Sequence, residues 1–293
     1  MDNSAVAVRA ESNAGSPVMR FGALKVLCLL LSSALLLVRG LLPAAAQARV
    51  DLELVVAVDV SLSMDLDEQQ LQRDGYVAAF RDPEVHKAIT SGPNGRIAVT
   101  YMEWAGPQTQ QVVLPWITID GPQAAQAFAD RLEAAPISRA RMTSIAAALQ
   151  FSSRLFDSSG VKGIRRVIDV SGDGPNNAGP PVVTVRDELV GNGIVINGLP
   201  IMLKLATGYF DLADLDRYYT DCVIGGTGAF MIPIKERSEF QTATRRKLLL
   251  EISGHDPPPR LVRVQARPAE EASDCLVGER QWRRYMDGGR FPN

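Results

Sequence analysis

The run from Val50 to Val60 is almost continuously apolar, and Asp59, Ser61 and Ser63 occupy alternate positions where it ends. Such a run is typical of a parallel strand that is covered on both faces of its sheet. An Asp-x-Ser-x-Ser sequence after a strand gathers three oxygen ligands on one side of a short loop, as a hard divalent cation requires. The segment therefore predicts a covered parallel sheet with a cation site at one edge.

Strand and helix patterns alternate along the chain after residue 49. The predicted strands are 50–60, 96–104, 111–117, 165–170, 193–200 and 229–234, of which the third pairs with the second as a hairpin. The predicted helices are 68–80, 122–134, 144–156, 182–190, 211–219 and 236–252. This order predicts an α/β fold with a doubly wound, mostly parallel, Rossmann-like sheet and helices on both faces. The basic residues Arg245, Arg246 and Lys247 are assigned to the solvent face of the last helix.

The first 48 residues have the pattern of a targeting segment. Arg20 and Lys25 precede an apolar stretch, and Ala46-Gln47-Ala48 provides a small-residue exit. This pattern predicts a secretory signal peptide that is cleaved after Ala48. The alternative is an uncleaved anchor, although the stretch is shorter than the roughly 20 apolar residues that span a bilayer. Met19 is an alternative start.

The predicted organisation is a signal peptide over 1–48, a domain over 49–253 and a C-terminal tail over 254–293. The mature protein is expected to be periplasmic or secreted, with no membrane span after cleavage. Its net charge of −2 and pI near 5.8 argue against nucleic acid as a partner, because nucleic-acid binding usually needs a basic patch.

Three cysteines are present, and Cys28 lies inside the predicted leader. Cys222 and Cys275 remain in the mature chain, which makes a disulfide between them plausible in an oxidising compartment. The alternative is two unrelated buried thiols. In the tail, Trp282 and Tyr285 either dock back on the domain or form a partner surface.

A second acidic loop, Gly172-Asp173-Gly174, also follows a predicted strand, and Thr143 opens the helix 144–156. Ligands of open α/β sheets bind beyond the carboxyl ends of the strands. These segments are therefore expected to meet around one point. Asn176 and Asn177 either line the same rim or form a plain loop.

The order of these three segments resembles that of the von Willebrand factor A (VWA) domain. More narrowly, the Asp-Val-Ser-x-Ser and Ser-Gly-Asp-Gly forms resemble the bacterial DUF1194 family, over about residues 50–253. The resemblance implies a metal-ion-dependent adhesion site (MIDAS). Its implied metal ligands are Asp59, Ser61, Ser63, Thr143 and Asp173. The implied ion is Mg²⁺, or another divalent cation such as Mn²⁺ or Ca²⁺, and the implied partner is a protein that offers an acidic side chain to the metal.

The loop before Thr143 departs from the pattern, because Arg139 and Arg141 stand where many A domains have glycines. These arginines either change the loop path, oppose a cation, or form a second contact that faces an anion.

Catalysis is not expected. The two histidines, His86 and His255, fall in loop-like regions far apart in sequence, and the chain has no zinc-spaced pair and no Gly-x-Ser-x-Gly elbow. The glycine-rich segment 225–228 is interpreted as a turn. The predicted function is metal-dependent protein–protein recognition or adhesion in the cell envelope. The alternatives are a metal-independent structural or envelope-assembly subunit and a metal-dependent hydrolase.

Overall fold

A computed structural model describes residues 47–204, 208, 210–254 and 272–288. The chain divides into a unit Met1–Ala46 and a unit Gln47–Asn293. Residues 1–46 of the predicted leader and His255 lie outside the described residues, whereas Gln47 and Ala48 are described. Within the described ranges, no helix combines the length and the apolar character needed to cross a membrane.

A five-stranded sheet organises the second unit. Its strands are β1 (Ala48–Asp59), β2 (Ile97–Trp104), β3 (Gln110–Ile119), β4 (Val161–Gly172) and β5 (Ile194–Pro200). The order is β3-β2-β1-β4-β5, in which β3 is antiparallel to β2 and the other neighbours are parallel. The mostly parallel α/β sheet is therefore confirmed, with β1 at its centre and buried from Val50 to Asp59.

Helices cover both faces of this sheet, as a doubly wound fold requires. They are α1 (Leu66–Arg81), α2 (Pro83–Thr90), α3 (Pro122–Glu133), α4 (Ile145–Leu155), α5 (Val182–Gly191), α6 (Leu215–Tyr218), α7 (Phe240–Ser253) and α8 (Val277–Met286). The apolar core on one face includes residues of α1, α2, α3 and α7, and the core on the other face includes residues of α4, α5 and α6. Short helices also follow α4 (Phe156–Ser158) and α6 (Tyr219–Val223) and precede α7 (Arg237–Glu239).

The prediction of a sixth strand over 229–234 is wrong. This segment makes only isolated parallel bridges to the edge of β5, at Met231 with Gly198 and at Ile234 with Ile201. Both bridges share one register, which sets Pro233 beside Pro200. The Ile232 amide donates to the Gly198 carbonyl and the Ile234 amide donates to the Pro200 carbonyl. Pro200 has no amide proton to donate to the Ile232 carbonyl, so the ladder is interrupted there.

Two assignments of ionisable residues to exposed or irregular positions are also wrong. Lys247 is almost fully buried and forms ion pairs with Asp169 and with Glu251. The 3.6-residue period of α7 turns Lys247 toward the sheet, because it lies on the same face as the buried Leu248 and Glu251. His86 lies inside helix α2 rather than in a loop, and its Nε2 bonds to the Phe80 carbonyl at 2.7 Å.

Candidate metal centre

Asp59 is the last residue of β1 and its carboxylate is buried. Its Oδ1 accepts a hydrogen bond from the Ser61 amide at 2.7 Å. Its Oδ2 has no hydrogen-bond partner among the residues that the structure describes. A Cβ at Gly172 would lie 2.8 Å from this Oδ2, so glycine is what lets β4 approach so closely. The oxygen that has no partner is the kind of atom that a cation would satisfy.

Hydroxyl groups connect the β1 loop to the β4 loop. The Oγ atoms of Ser61 and Ser63 are 2.8 Å apart, and Ser63 Oγ donates to Asp173 Oδ1 at 2.6 Å. Asp173 directly follows β4, the neighbour of β1 in the sheet. The parallel arrangement therefore brings the two acidic loops together, as expected from the sequence.

Thr143 is held against both loops by backbone contacts. The Ala140 amide donates to the Val60 carbonyl at 3.0 Å, which ties the segment before Thr143 to the end of β1. The Thr143 amide donates to Asn177 Oδ1 at 2.9 Å, and the Asn177 amide donates to the Thr143 carbonyl at 2.8 Å. Thr143 is thus fixed between the end of β1 and the loop that carries Asp173.

A surface groove of about 480 Å³ opens over these residues, and we call it the site groove. It is lined by Ser61, Leu62, Ser63, Arg141, Met142, Thr143, Asn177, Phe210 and Trp282. Three of the five predicted metal ligands therefore face one cavity, and hydrogen bonds connect Asp59 and Asp173 to the same cluster.

The electrostatics of the cluster favour an added positive charge. Burial raises the pKa of Asp59 well above its ordinary range, and the nearby Asp173 raises it further. Burial also raises the pKa of Asp173 to about 6, although the hydrogen bond from Ser63 acts in the opposite direction. A cation between two such carboxylates would offset the cost of ionising them.

The donor chemistry fits a hard divalent cation. Two carboxylates and three neutral hydroxyls are oxygen ligands of the type that Mg²⁺, Mn²⁺ and Ca²⁺ prefer. In the part of the chain that the structure describes, no group of three or more His, Cys, Asp or Glu side chains could hold a metal ion. A cation bound here would therefore depend on the hydroxyl donors.

The two arginines before Thr143 occupy different positions. Arg139 donates to the Met64 carbonyl at 3.0 Å, so its guanidinium supports the loop of Ser61 and Ser63. Arg141 is exposed and lines the site groove. Between Arg141 and Thr143, Met142 has a φ of 71°, a left-handed conformation that usually favours glycine. Met142 thus adopts the backbone that a glycine would adopt more easily.

Lys204 is a site residue that the sequence pattern did not indicate. Its Nζ lies 2.5 Å from Glu68 Oε2 and 4.0 Å from Asp173 Oδ2, and it also donates to the Ser63 carbonyl. Lys204 follows β5, the other neighbour of β4. The only available signal was this position, because parallel strands end at the same edge of the sheet.

The two asparagines after Asp173 have different roles. Asn177 lines the site groove and bonds to the backbone of Thr143. Asn176 is fully buried, and its Oδ1 accepts from the Ala146 amide at 3.0 Å.

The C-terminal helix contacts the domain close to the site. Cys222 and Cys275 are joined by a disulfide just before α8. The Trp282 ring lies 5.8 Å from the Phe210 ring, measured between centroids. The described part of the tail therefore packs back on the domain.

The fold is similar to that of VWA domains. Proximal thread matrix protein 1 from the mussel byssus is 14% identical, with a TM-score of 0.53 over 71% of this chain and 49% of that chain. The von Willebrand factor type A structure from Catenulispora acidiphila is 12% identical, with a TM-score of 0.50 over 69% and 43%. The pilus adhesin SpaC from Lactobacillus rhamnosus GG is 12% identical, with a TM-score of 0.52 over 71% and 31%. The chain spans less than half of each of these proteins.

Residues 49–256 match a family described as a protein of unknown function, DUF1194. This match covers more than half of the chain, so the chain belongs to the DUF1194 family, as its motifs indicate. Comparison with curated protein sequences finds no significant match.

Proposed function

We propose that this protein is an exported recognition module without catalytic activity. It binds a divalent cation, Mg²⁺ by preference, through Asp59, Ser61, Ser63, Thr143 and Asp173. The bound cation then captures a carboxylate on another macromolecule in the cell envelope. The observation that carries this proposal is the buried Asp59 Oδ2, which lacks a hydrogen-bond partner among the described residues beside a cluster of hydroxyl donors.

Charge balance explains why this donor set suits capture. Two carboxylates offset the two positive charges of the cation. The hydroxyl ligands are neutral and add no further negative charge. When bound, the cation supplies an electrophilic centre with a coordination position for an incoming anion. The surrounding residues fix the donors: Gly172 makes room for Asp59, and Asn177 holds the backbone of Thr143.

The absence of catalysis is part of the proposal. The Nε2 of His86 bonds to the Phe80 carbonyl at the end of α1, and the Nζ of Lys204 forms an ion pair with Glu68. Neither group is free to act as a general base beside the carboxylates. The leader pattern and the fold likeness to a protein named as a pilus adhesin support export and adhesion.

A thermal-shift experiment tests cation binding. Added Mg²⁺ is expected to raise the Tm of the metal-free protein, with a stabilisation near 2.7 kcal/mol at about 100 times its Kd. Asp59→Asn should abolish the rise, because it removes one of the two charged ligands. Asp157→Asn, at an exposed acid on a separate short helix, should retain it. Parallel titrations with Mn²⁺ and Ca²⁺ rank the cations.

A well-folded protein whose Tm does not respond to any of these cations would contradict the proposal and favour a metal-independent structural subunit. Metal-dependent turnover of a panel of phosphoesters would instead favour a hydrolase.

A further inference from the structure

We infer that the partner presents an aromatic side chain next to the captured carboxylate, and that helix α8 forms the wall that receives this ring. This inference rests on the proposed function, because the carboxylate is expected to reach the cation of the five-residue site. It goes further by assigning a second specificity contact to residues outside the metal ligands.

The site groove is larger than a carboxylate alone would fill, and its lining is chemically mixed. It includes the hydroxyl residues Ser61, Ser63 and Thr143, and it also includes Met142, Phe210 and Trp282, which we call the apolar side. Trp282 is half-buried, so part of its surface remains available at the groove. A carboxylate directed to the hydroxyl residues therefore leaves the apolar side for a neighbouring residue of the same partner chain.

The groups on the apolar side favour a ring over an aliphatic chain. Trp282 and Phe210 lie at 5.8 Å with their planes inclined by 43°, and Tyr285 packs against them at 5.7 and 5.5 Å. A ring from the partner can extend this aromatic cluster where Trp282 and Phe210 line the groove. The Met142 thioether is suited to contact an aromatic edge. Arg141 lines the same groove and can place its guanidinium over a ring face. Arg141 also attracts a segment that carries a negative charge.

Helix α8 is fixed to the loop that carries Asp173. The Cys222–Cys275 disulfide attaches the start of the helix to the domain. A Cβ at Gly278 would overlap the Asn176 carbonyl oxygen, so glycine permits close packing there. Asn176 Nδ2 also donates to Glu279 Oε1 at 2.7 Å. The aromatic wall and the metal loop are therefore preorganised together, which lowers the entropic cost of binding a segment across both.

Two fluorescently labelled hexapeptides with blocked termini test this inference. Each contains one aspartate among glycines, preceded by phenylalanine in one peptide and by serine in the other, and a third peptide replaces the aspartate with asparagine. Binding is measured by anisotropy in Mg²⁺ and in EDTA. The phenylalanine peptide is expected to bind about tenfold more tightly than the serine peptide, from burial of its ring. The asparagine peptide and the EDTA samples should show no binding.

Variants separate the wall from the metal. Trp282→Ala should reduce the preference for phenylalanine to near equality while leaving the Mg²⁺-induced Tm rise unchanged. Arg284→Ala, at an exposed position on the same helix, should leave both measurements unchanged. The peptide comparison on the unaltered protein provides a test that does not depend on any variant folding.

Equal affinity for the phenylalanine and serine peptides, or binding of neither peptide, overturns the inference. If the Tm of the same protein still rises with Mg²⁺, the proposed function stays intact. A preference that survives Trp282→Ala also overturns it, because α8 is then not the wall. Loss of the Mg²⁺ response in the unaltered protein overturns the inference and the proposed function together.

Discussion

At the scale of single residues, Asp59 illustrates how a proposed metal ligand opposes folding. Its carboxylate is fully buried, and one oxygen lacks a hydrogen-bond partner within the described residues. Burial of an ionised acid is costly unless it is paired. The same cost would make the acid a strong ligand in the proposed site, because a cation would restore the missing interaction.

The Asp59→Asn variant should therefore change how the stability of the metal-free protein depends on pH. The pKa of Asp59 in the fold is raised above its ordinary value of 3.8. The resulting stabilisation is present below about pH 3.8 and is lost as pH rises through the folded pKa. The amide side chain of the variant cannot ionise, so the variant should lose less stability than the original between pH 4 and pH 7, in chemical denaturation without metal. Parallel curves for the two proteins would contradict the expectation.

Lys204 places a positive charge where the cation would also act. Its ammonium is 4.0 Å from Asp173 Oδ2 and is partly exposed. Lys204→Met should raise affinity for Mg²⁺ by about threefold, because an exposed charge contributes only about 0.2–1 kcal/mol. Lys235→Met is the matched control, since Lys204 and Lys235 line one cavity next to Ser63 and Asp173, but Lys235 pairs with Asp216. Isothermal titration calorimetry measures both, and unchanged or weaker Mg²⁺ binding by Lys204→Met would contradict this role.

At the scale of elements, the sequence predicts which loops meet but not every side chain that joins them. Asp59 and Asp173 are predictable neighbours because each follows a parallel strand, and such strands end at one edge. Thr143 is predictable from its place before α4 and from the family resemblance. Lys204 and Trp282 are not, because no periodicity specifies the path of a long connection or the docking position of a tail.

The buried face of α7 marks another limit of the sequence. A charge run on a helix is ordinarily solvated, yet Lys247 faces the sheet because two carboxylates compensate it there. Only the three-dimensional position of Asp169 on β4 shows that compensation. Likewise, the apolar pattern of 229–234 predicts a strand, but the missing amide proton of Pro200 interrupts its ladder.

Helix α8 depends on its covalent attachment. The disulfide joins residues separated by 53 positions, and a loop of that length corresponds to a stabilisation of about 4 kcal/mol in the chain-entropy description. Replacing both Cys222 and Cys275 with serine should therefore lower the free energy of unfolding by up to about 4 kcal/mol, measured by denaturant titration. A reductant should lower the stability of the original protein similarly and leave the double variant unchanged. Insensitivity of the original protein to reductant would contradict a stabilising bridge.

At the scale of the whole molecule, a buried charged cluster connects the sheet to its helical cover. Lys247 on α7 pairs with Asp169 on β4 and with Glu251 one turn further along α7. Tyr76 on α1 donates to Asp169 Oδ2 at 3.0 Å, and Asn197 on β5 donates to Glu251 Oε1 at 3.1 Å. Two strands and two helices thus share one polar network beneath an otherwise apolar layer.

Removing the central charge of this network should destabilise the whole domain. Lys247→Met leaves two buried carboxylates uncompensated and is expected to cost about 3–5 kcal/mol in the free energy of unfolding. Arg245→Met, on an exposed pair of the same helix, should cost less than about 1 kcal/mol.

The effect of Glu251→Gln on the free energy of unfolding should depend on pH. Burial, with Asp169 nearby, raises the folded pKa of Glu251 to about 7 from an ordinary 4.5, so its stabilising contribution is present below about pH 4.5 and is lost as pH rises through about 7. The difference in free energy of unfolding between the glutamine variant and the original protein should therefore favour the variant more at pH 8 than at pH 5. A difference that does not change with pH, measured by chemical denaturation, would show that Glu251 does not hold a proton in this network.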